Sequence, residues 1–143
     1  MPYQQDIEYD LEDKGLEDCR YIISSQHRNG NPNKSIWTLT HDGEIDCFVF
    51  SFSSEWKDDN TCWGVSVLGQ DIQVVGHNTN NEELKIAKFV DANANMLWHG
   101  YPADYMRNSQ DRPTTNTLRD WVRRGYITKA KMSKIRLGQS CNL

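Results

Sequence analysis

The sequence predicts a single α+β domain, an antiparallel β-meander of four to five strands with a C-terminal helical hairpin packed on one face or edge. Three observations predict it. Residues 35–76 carry runs of alternating apolar and polar side chains separated by short polar turns. Residues 113–138 change to helical spacing, with threonines where caps belong and glycines where helices end. The 143 residues suit one core, and five Trp, six Tyr and four Phe supply large buried areas despite 37% hydrophobic content.

Residues 1–18 form an acidic segment in which Tyr3, Ile7 and Leu11 fall four apart, the stripe of a narrow amphipathic helix ended by Gly15; a mobile acidic arm is the alternative. Residues 19–24 read as a first strand. The following loop, residues 26–34, contains Asn29-Gly30-Asn31-Pro32-Asn33 and leaves His27 and Arg28 as solvated loop residues. Within the meander of residues 19–76, residues 36–40 form a strand and Asp42-Gly43 marks a hairpin turn. Residues 45–53 form a central strand apolar on both faces, residues 61–68 alternate again around Trp63, Val65 and Val67, and residues 72–76 complete the run.

Residues 77–112 connect the meander to the helices. Thr79 and Glu82 have capping-box spacing, which favours a short helix through Leu84, Ala87, Phe89 and Val90 over a strand at 84–90. Residues 98–105, Trp-His-Gly-Tyr-Pro-Ala-Asp-Tyr, read as a loop joining the two layers, permissive at Gly100 and stiffened at Pro102. Beyond Pro113, Thr114 or Thr115 caps a helix with Leu118, Trp121 and Val122 on one face, and Gly125 ends it. Thr128 caps a second helix that runs from Lys129 to Leu137 with Met132 and Ile135 inward, ended by Gly138; the pair is an αα-hairpin with a basic outer surface over 113–138.

Charge is asymmetric. Residues 1–20 hold seven acids and two bases, and residues 107–136 hold nine bases and two acids, within a net charge of −4. Mutual neutralisation of the two ends is the first expectation, and a basic end facing a polyanion is the second. No apolar run is long enough to cross a membrane and the N-terminus lacks the pattern of a secretory signal, so a cytoplasmic protein without a membrane partner is expected. Cys19, Cys47, Cys62 and Cys141 are scattered without a Cys-x-x-Cys pair and read as free thiols.

The densest concentration of chemistry is residues 98–105. His99 suits acid-base work near neutral pH, Asp104 is placed to orient it, and Tyr101 stands beside it; these are the catalytic candidates if the chain is an enzyme. Arg107 and Arg112 can hold an anion bidentately, and Trp98 and Tyr105 can floor a pocket that Arg119, Arg123 and Arg124 flank. The set His77, His99, Cys62 and Cys141 matches no familiar metal spacing, so no metal and no cofactor is expected.

Residues 117–127, Thr-Leu-Arg-Asp-Trp-Val-Arg-Arg-Gly-Tyr-Ile, resemble over eleven positions the leucine, arginine, aromatic, glycine and isoleucine pattern near helix ends in MerR-type and winged-helix DNA-binding domains. No site residue is carried over from it. Were nucleic acid bound, Arg119, Arg123, Arg124, Lys129, Lys131 and Lys134 would meet phosphates; overall acidity makes this partner possible but not favoured. The leading functional expectation is a non-catalytic binding module that recognises a protein or an anionic ligand through residues 98–105 and the basic helices. A small hydrolase or phosphodiesterase-like enzyme using His99, and an acidic partner or inhibitor protein acting through residues 1–18, are the alternatives.

Overall fold

A computed structural model describes residues 5–29 and 32–143; Tyr3 of the expected N-terminal stripe and the Gly30-Asn31 pair of the expected loop lie outside them. The elements in chain order are β1 (Ile7–Asp10), β2 (Arg20–Ile23), β3 (Ile36–Trp37), α1 (His41–Ser53), β4 (Lys57–Asp58), β5 (Thr61–Gly64), β6 (Val67–Leu68) and β7 (Asp71–Ile72). They continue with β8 (Gly76–His77), β9 (Glu83–Leu84), β10 (Ile86–Val90), β11 (Leu97–Ala103), α2 (Thr115–Arg123) and α3 (Lys129–Arg136). The fold is α+β. A mixed six-stranded sheet of order β1-β2-β11-β10-β5-β4 is accompanied by a three-stranded sheet β3-β8-β9 and the hairpin β6-β7.

Four expectations are corrected. The central strand expected at 45–53 is helix α1, because the Thr40 hydroxyl accepts from the Gly43 N–H at 3.0 Å and Asp42 and Glu44 occupy the first turn. Glu44, Ile45, Phe48 and Ser51 are buried at helical spacing, and the Asp42-Gly43 pair lies in the first turn instead of a hairpin. The meander is thereby broken into short pieces, and the large sheet is mixed, with β2 and β11 parallel.

The segment after residue 79 is strand, not helix. Asn78 organises the turn, its side-chain oxygen accepting from the N–H groups of Asn80 at 3.0 Å and Glu82 at 2.9 Å, so the Thr79 cap never forms. Residues 97–103 are the strand β11, paired to β10 on one side and to β2 on the other, where a loop was expected. Pro102 is tolerated because only Leu97 and Trp98 pair with β2, so by residue 102 no ladder on that side requires its missing N–H, and its carbonyl accepts instead from the Ser35 hydroxyl at 2.9 Å. At the N-terminus, Ile7–Asp10 pairs antiparallel with β2 and Leu11 is buried, so neither the helix nor the mobile arm is found there.

The first strand, at β2, and the C-terminal helices stand as expected. Thr114 and Thr128 accept from the N–H groups of Thr117 and Lys131, and Gly125 and Gly138 have positive φ beyond the helix ends. α2 and α3 lie in contact.

Alternation along the sheet builds two cores. Phe89, Cys62, Trp98 and Tyr21 join Trp37 and the α1 residues Ile45, Cys47 and Phe48 in one core. Trp63, Ile86 and Ala103 join Trp56, Tyr105, Leu118, Trp121 and Ile135 in the other. The two charged ends do not neutralise each other: no ion pair among the described residues joins residues 5–18 to residues 107–136. Acidic β1 is one edge of the sheet, whereas the basic helices pack over β5, β10 and β11. At about 4.8 Å per strand the edge is roughly 14–19 Å from β10 and β5, beyond the ~8 Å screening length.

Among the described residues no helix is long and apolar enough to cross a membrane.

Candidate functional site

The site begins with β11. Strand alternation sends Trp98 and Gly100 to the α1 side, and His99 and Tyr101 to the opposite side beside Lys88, the cross-strand partner of Tyr101. Gly100 permits this packing, since a Cβ there would stand 2.4 Å from the Phe89 ring and 2.9 Å from the Lys88 carbonyl oxygen.

Tyr101 is held still. Its hydroxyl donates to Asp111 Oδ1 at 2.8 Å, and Asp111, itself buried, also accepts from the Asp104 N–H at 3.0 Å and lies 3.6 Å from Lys88 Nζ. Lys88 donates in turn to the Gln110 carbonyl at 2.7 Å. Burial, then the charge of Asp111, pushes the phenol far above its ordinary value, and the hydrogen bond to Asp111 holds Tyr101 as a fixed wall of the groove.

His27 stacks on that wall, its ring centroid 5.4 Å from that of Tyr101 and the planes 19° apart. Its Nδ1 donates to the Ser35 carbonyl at 2.7 Å, which leaves Nε2 as the lone-pair nitrogen when the ring is neutral. The expectation that His27 and Arg28 are solvated is corrected: both are drawn inward, Arg28 onto the buried Glu44 at 2.7 Å. Burial lowers the pKa of His27, with Lys34 and His99 adding repulsion against the bond to Ser35. Burial also lowers His99, opposed by the charges of Asp6 and Asp91.

These groups line a groove of about 550 Å³ whose walls include His27, Lys34, His99, Tyr101, Asp104 and Arg107. Four of the residues singled out in the sequence, His99, Tyr101, Asp104 and Arg107, therefore meet at one place. Asp104 does not orient His99 there, because its carboxylate accepts from Asn78 at 3.1 Å and from Arg107 at 3.3 Å. Among the described residues no carboxylate is in hydrogen-bond contact with His99.

The remaining candidates lie elsewhere. Trp98 is 2% exposed and packs on Phe48, so it floors the core and not the groove. Tyr105 donates to the Gln139 carbonyl at 2.9 Å and lines a separate cleft beside the C-terminal residues. Arg112 donates to the Tyr105 carbonyl at 3.0 Å, with its guanidinium against Gly138. Arg123 and Arg124 bind Asp120, and Arg124 covers the Trp56 ring at 4.9 Å; they line another cleft with residues 54–58. Arg119 is exposed. The single site expected from residues 98–105 and the helices is thus divided.

Cys47 and Cys62 pack into the α1-side core, away from the face that carries His99, and burial pushes the Cys47 thiol up to about 12. Among the described residues no three His, Cys, Asp or Glu side chains form a metal-holding group. Sequence reasoning missed His27, Lys88 and Asp111. A lone lysine inside the apolar run Ile86-Ala87-Lys88-Phe89-Val90 was a legible signal, since a buried ammonium requires a partner carboxylate. Nothing around His27 in the sequence foretells its stacking, which depends on a residue 74 positions away.

Comparison with known protein families, curated proteins and solved structures gives no match for this chain.

Proposed function

We propose that this chain is a non-catalytic binding module that takes a small anionic ligand, a phosphorylated or carboxylated compound, in the groove of His27, His99 and Tyr101. The observation that carries the reading is the two imidazoles sharing one groove with exposed Lys34 and with a hydrogen-bonded tyrosine on which His27 stacks. The carboxylates lining the groove are already engaged, Asp111 by Tyr101 and Lys88 and Asp104 by Asn78 and Arg107, while the charges of Asp6 and Asp91 reach His99 from outside it. An anion entering the groove relieves the repulsion among His27, His99 and Lys34 and favours the protonated imidazoles, so binding takes up protons. The groove volume suits a metabolite-sized ligand.

The test is a titration with inorganic phosphate, followed by the imidazole proton resonances and by calorimetry. Binding is tighter at pH 6 than at pH 8, and His27→Ala and His99→Ala each weaken it about tenfold, roughly 1.4 kcal/mol. Resonances that do not move at pH 6 with millimolar phosphate remove the reading. The hydrolase alternative draws on the same His99, and turnover of an activated phosphodiester that disappears in His99→Ala would replace binding by catalysis. The inhibitor alternative has less support, since Ile7–Asp10 and Leu11 are built into the fold.

A further inference from the structure

We propose that the outward face of α3 is a docking surface for the phosphate backbone of duplex DNA, independent of the groove. At 100° per residue, Ile135 with Met132 and Lys131 turns toward the core side, and the opposite arc carries Lys129, Ser133, Arg136, Ala130, Leu137 and Lys134. Ala130, Ser133 and Leu137 run along the middle of that arc. Lys129 and Arg136 border it on one side and Lys134, with Lys131 beyond it, on the other. The face is a low ridge between two cationic rims.

The cations of α3 are in no ion pair, unlike several cations elsewhere in the fold. Lys14 pairs with Asp46, Arg20 with Glu8, Arg28 with Glu44 and Arg107 with Glu82. Among the described residues no ion pair involves Lys129, Lys131, Lys134, Arg136 or the neighbouring Arg119. No Asp or Glu occurs from residue 121 to residue 143, and acidic β1 is an edge strand of the sheet, separated by β2 from the strands under the helices. A molecule of net charge −4 therefore holds a local cluster of cations that, among the described residues, makes no ion pair with its own acids.

The shape fits DNA better than a lipid surface. An α-helix with its side chains is about 10–12 Å across and the B-DNA major groove is about 12 Å wide, so rims on both sides of one helix can reach the phosphates of both strands. A lipid-seated helix needs a broad apolar face, and here only Leu137, 66% exposed, is both large and apolar in the outward arc. The ridge of Ala130, Ser133 and Leu137 offers no bidentate base contact, so affinity is set chiefly by charge and varies little with sequence.

The experiment is fluorescence anisotropy of a labelled 20-base-pair duplex with the full chain from 50 to 200 mM salt. Four to five phosphate contacts give a slope of log Kobs against log salt of about −4, and the same affinity on unrelated duplexes. The variant Lys129→Glu, Lys134→Glu, Arg136→Glu lowers affinity at least about 100-fold at 50 mM salt and flattens the slope by about 3, with unchanged circular dichroism and Tm. Lys14→Glu, at the far edge, leaves the slope as it was. No duplex binding by the unmodified chain at 50 mM salt overturns the proposal. So does binding by the folded triple variant equal to that of the unmodified chain, or capture by phosphatidylserine vesicles without duplex binding.

Discussion

The Tyr21 hydroxyl donates to Glu44 Oε2 at 2.5 Å, joining strand β2 to the first turn of helix α1 across the core. Glu44 is fully buried, and its other oxygen accepts from Arg28 at 2.7 Å. Arg28 also donates to the Leu39 carbonyl at 2.7 Å, so one buried network ties the loop after β2, the approach to α1 and the helix itself. Such a network is stable only when complete, because a buried carboxylate without its cation is strongly destabilising.

Arg28→Ala is expected to lower stability by about 3–5 kcal/mol in urea unfolding at pH 7. Burial already holds Glu44 above its ordinary value against its bonds to Tyr21 and Arg28. A carboxyl raised in the folded state stabilises most below its unfolded pKa and loses that contribution as pH rises through its folded pKa. The variant should thus regain part of its loss on moving from pH 7 to pH 5. A deficit that is the same at both values contradicts the assignment.

Asp120 presents the opposite sign. Burial pushes its pKa up, but the bonds from Trp56 and Arg123 and the charges of Arg124 and Arg123 outweigh it and leave the group low. A lowered carboxyl stabilises above its unfolded pKa, and the contribution disappears as pH falls through the folded value. Asp120→Asn should cost roughly 1.5–3 kcal/mol at pH 7 and progressively less toward pH 3, measured by denaturant unfolding across pH. An equal cost throughout would assign the loss to the Trp56 contact alone.

Gly100→Ala places a methyl group 2.4 Å from Phe89 and 2.9 Å from a backbone carbonyl of β10, where neither neighbour is a flexible side-chain end. The expected cost is about 1–3 kcal/mol. Because the displaced strand carries Tyr101 and His99, the variant should also weaken phosphate binding in the groove. Unchanged Tm and unchanged binding would show that β10 and β11 separate more easily than their packing implies.

His27 and His99 are both held below the ordinary imidazole value of 6.5, chiefly by burial. Between the folded and unfolded values the unfolded chain binds more protons, so stability falls as pH drops through about 6.5 toward the folded pKa. Both resonances should titrate below 6.5 in the free protein, and phosphate should move them upward. His27→Phe, which keeps an aromatic ring against Tyr101, should remove part of the acid sensitivity. Titration of either ring above 6.5 in the free protein would count against its burial.

Local chemistry carried the C-terminal half of the prediction. Thr114, Gly125, Thr128 and Gly138 act within a few residues of themselves, and the helices stand where those signals put them. Residues 45–53 did not resolve in the same way, because apolar side chains on both strand faces satisfy periods of 2 and 3.6 alike. The Thr40 cap and the space above Phe89 decide for helix. Residues 86–90 and 97–103 misled for a related reason: a strand buried on both sides shows little alternation, and Pro102 reads as a loop until its strand pairing is known.

The sequence by itself determined an α+β chain with a capped basic helical pair, an acidic start and a cluster of functional groups around His99. Only the tertiary structure decided what those groups meet. Ion pairs, stacking and burial depend on residues distant in the chain, so His27 reaches Tyr101, Lys88 reaches Asp111, and Trp98 turns from a ligand candidate into core. Charge separation followed the same rule. Composition counts the acids and bases, but the order of strands in the sheet sets acidic β1 at one edge and the basic helices over β5, β10 and β11, where no ion pair among the described residues joins them.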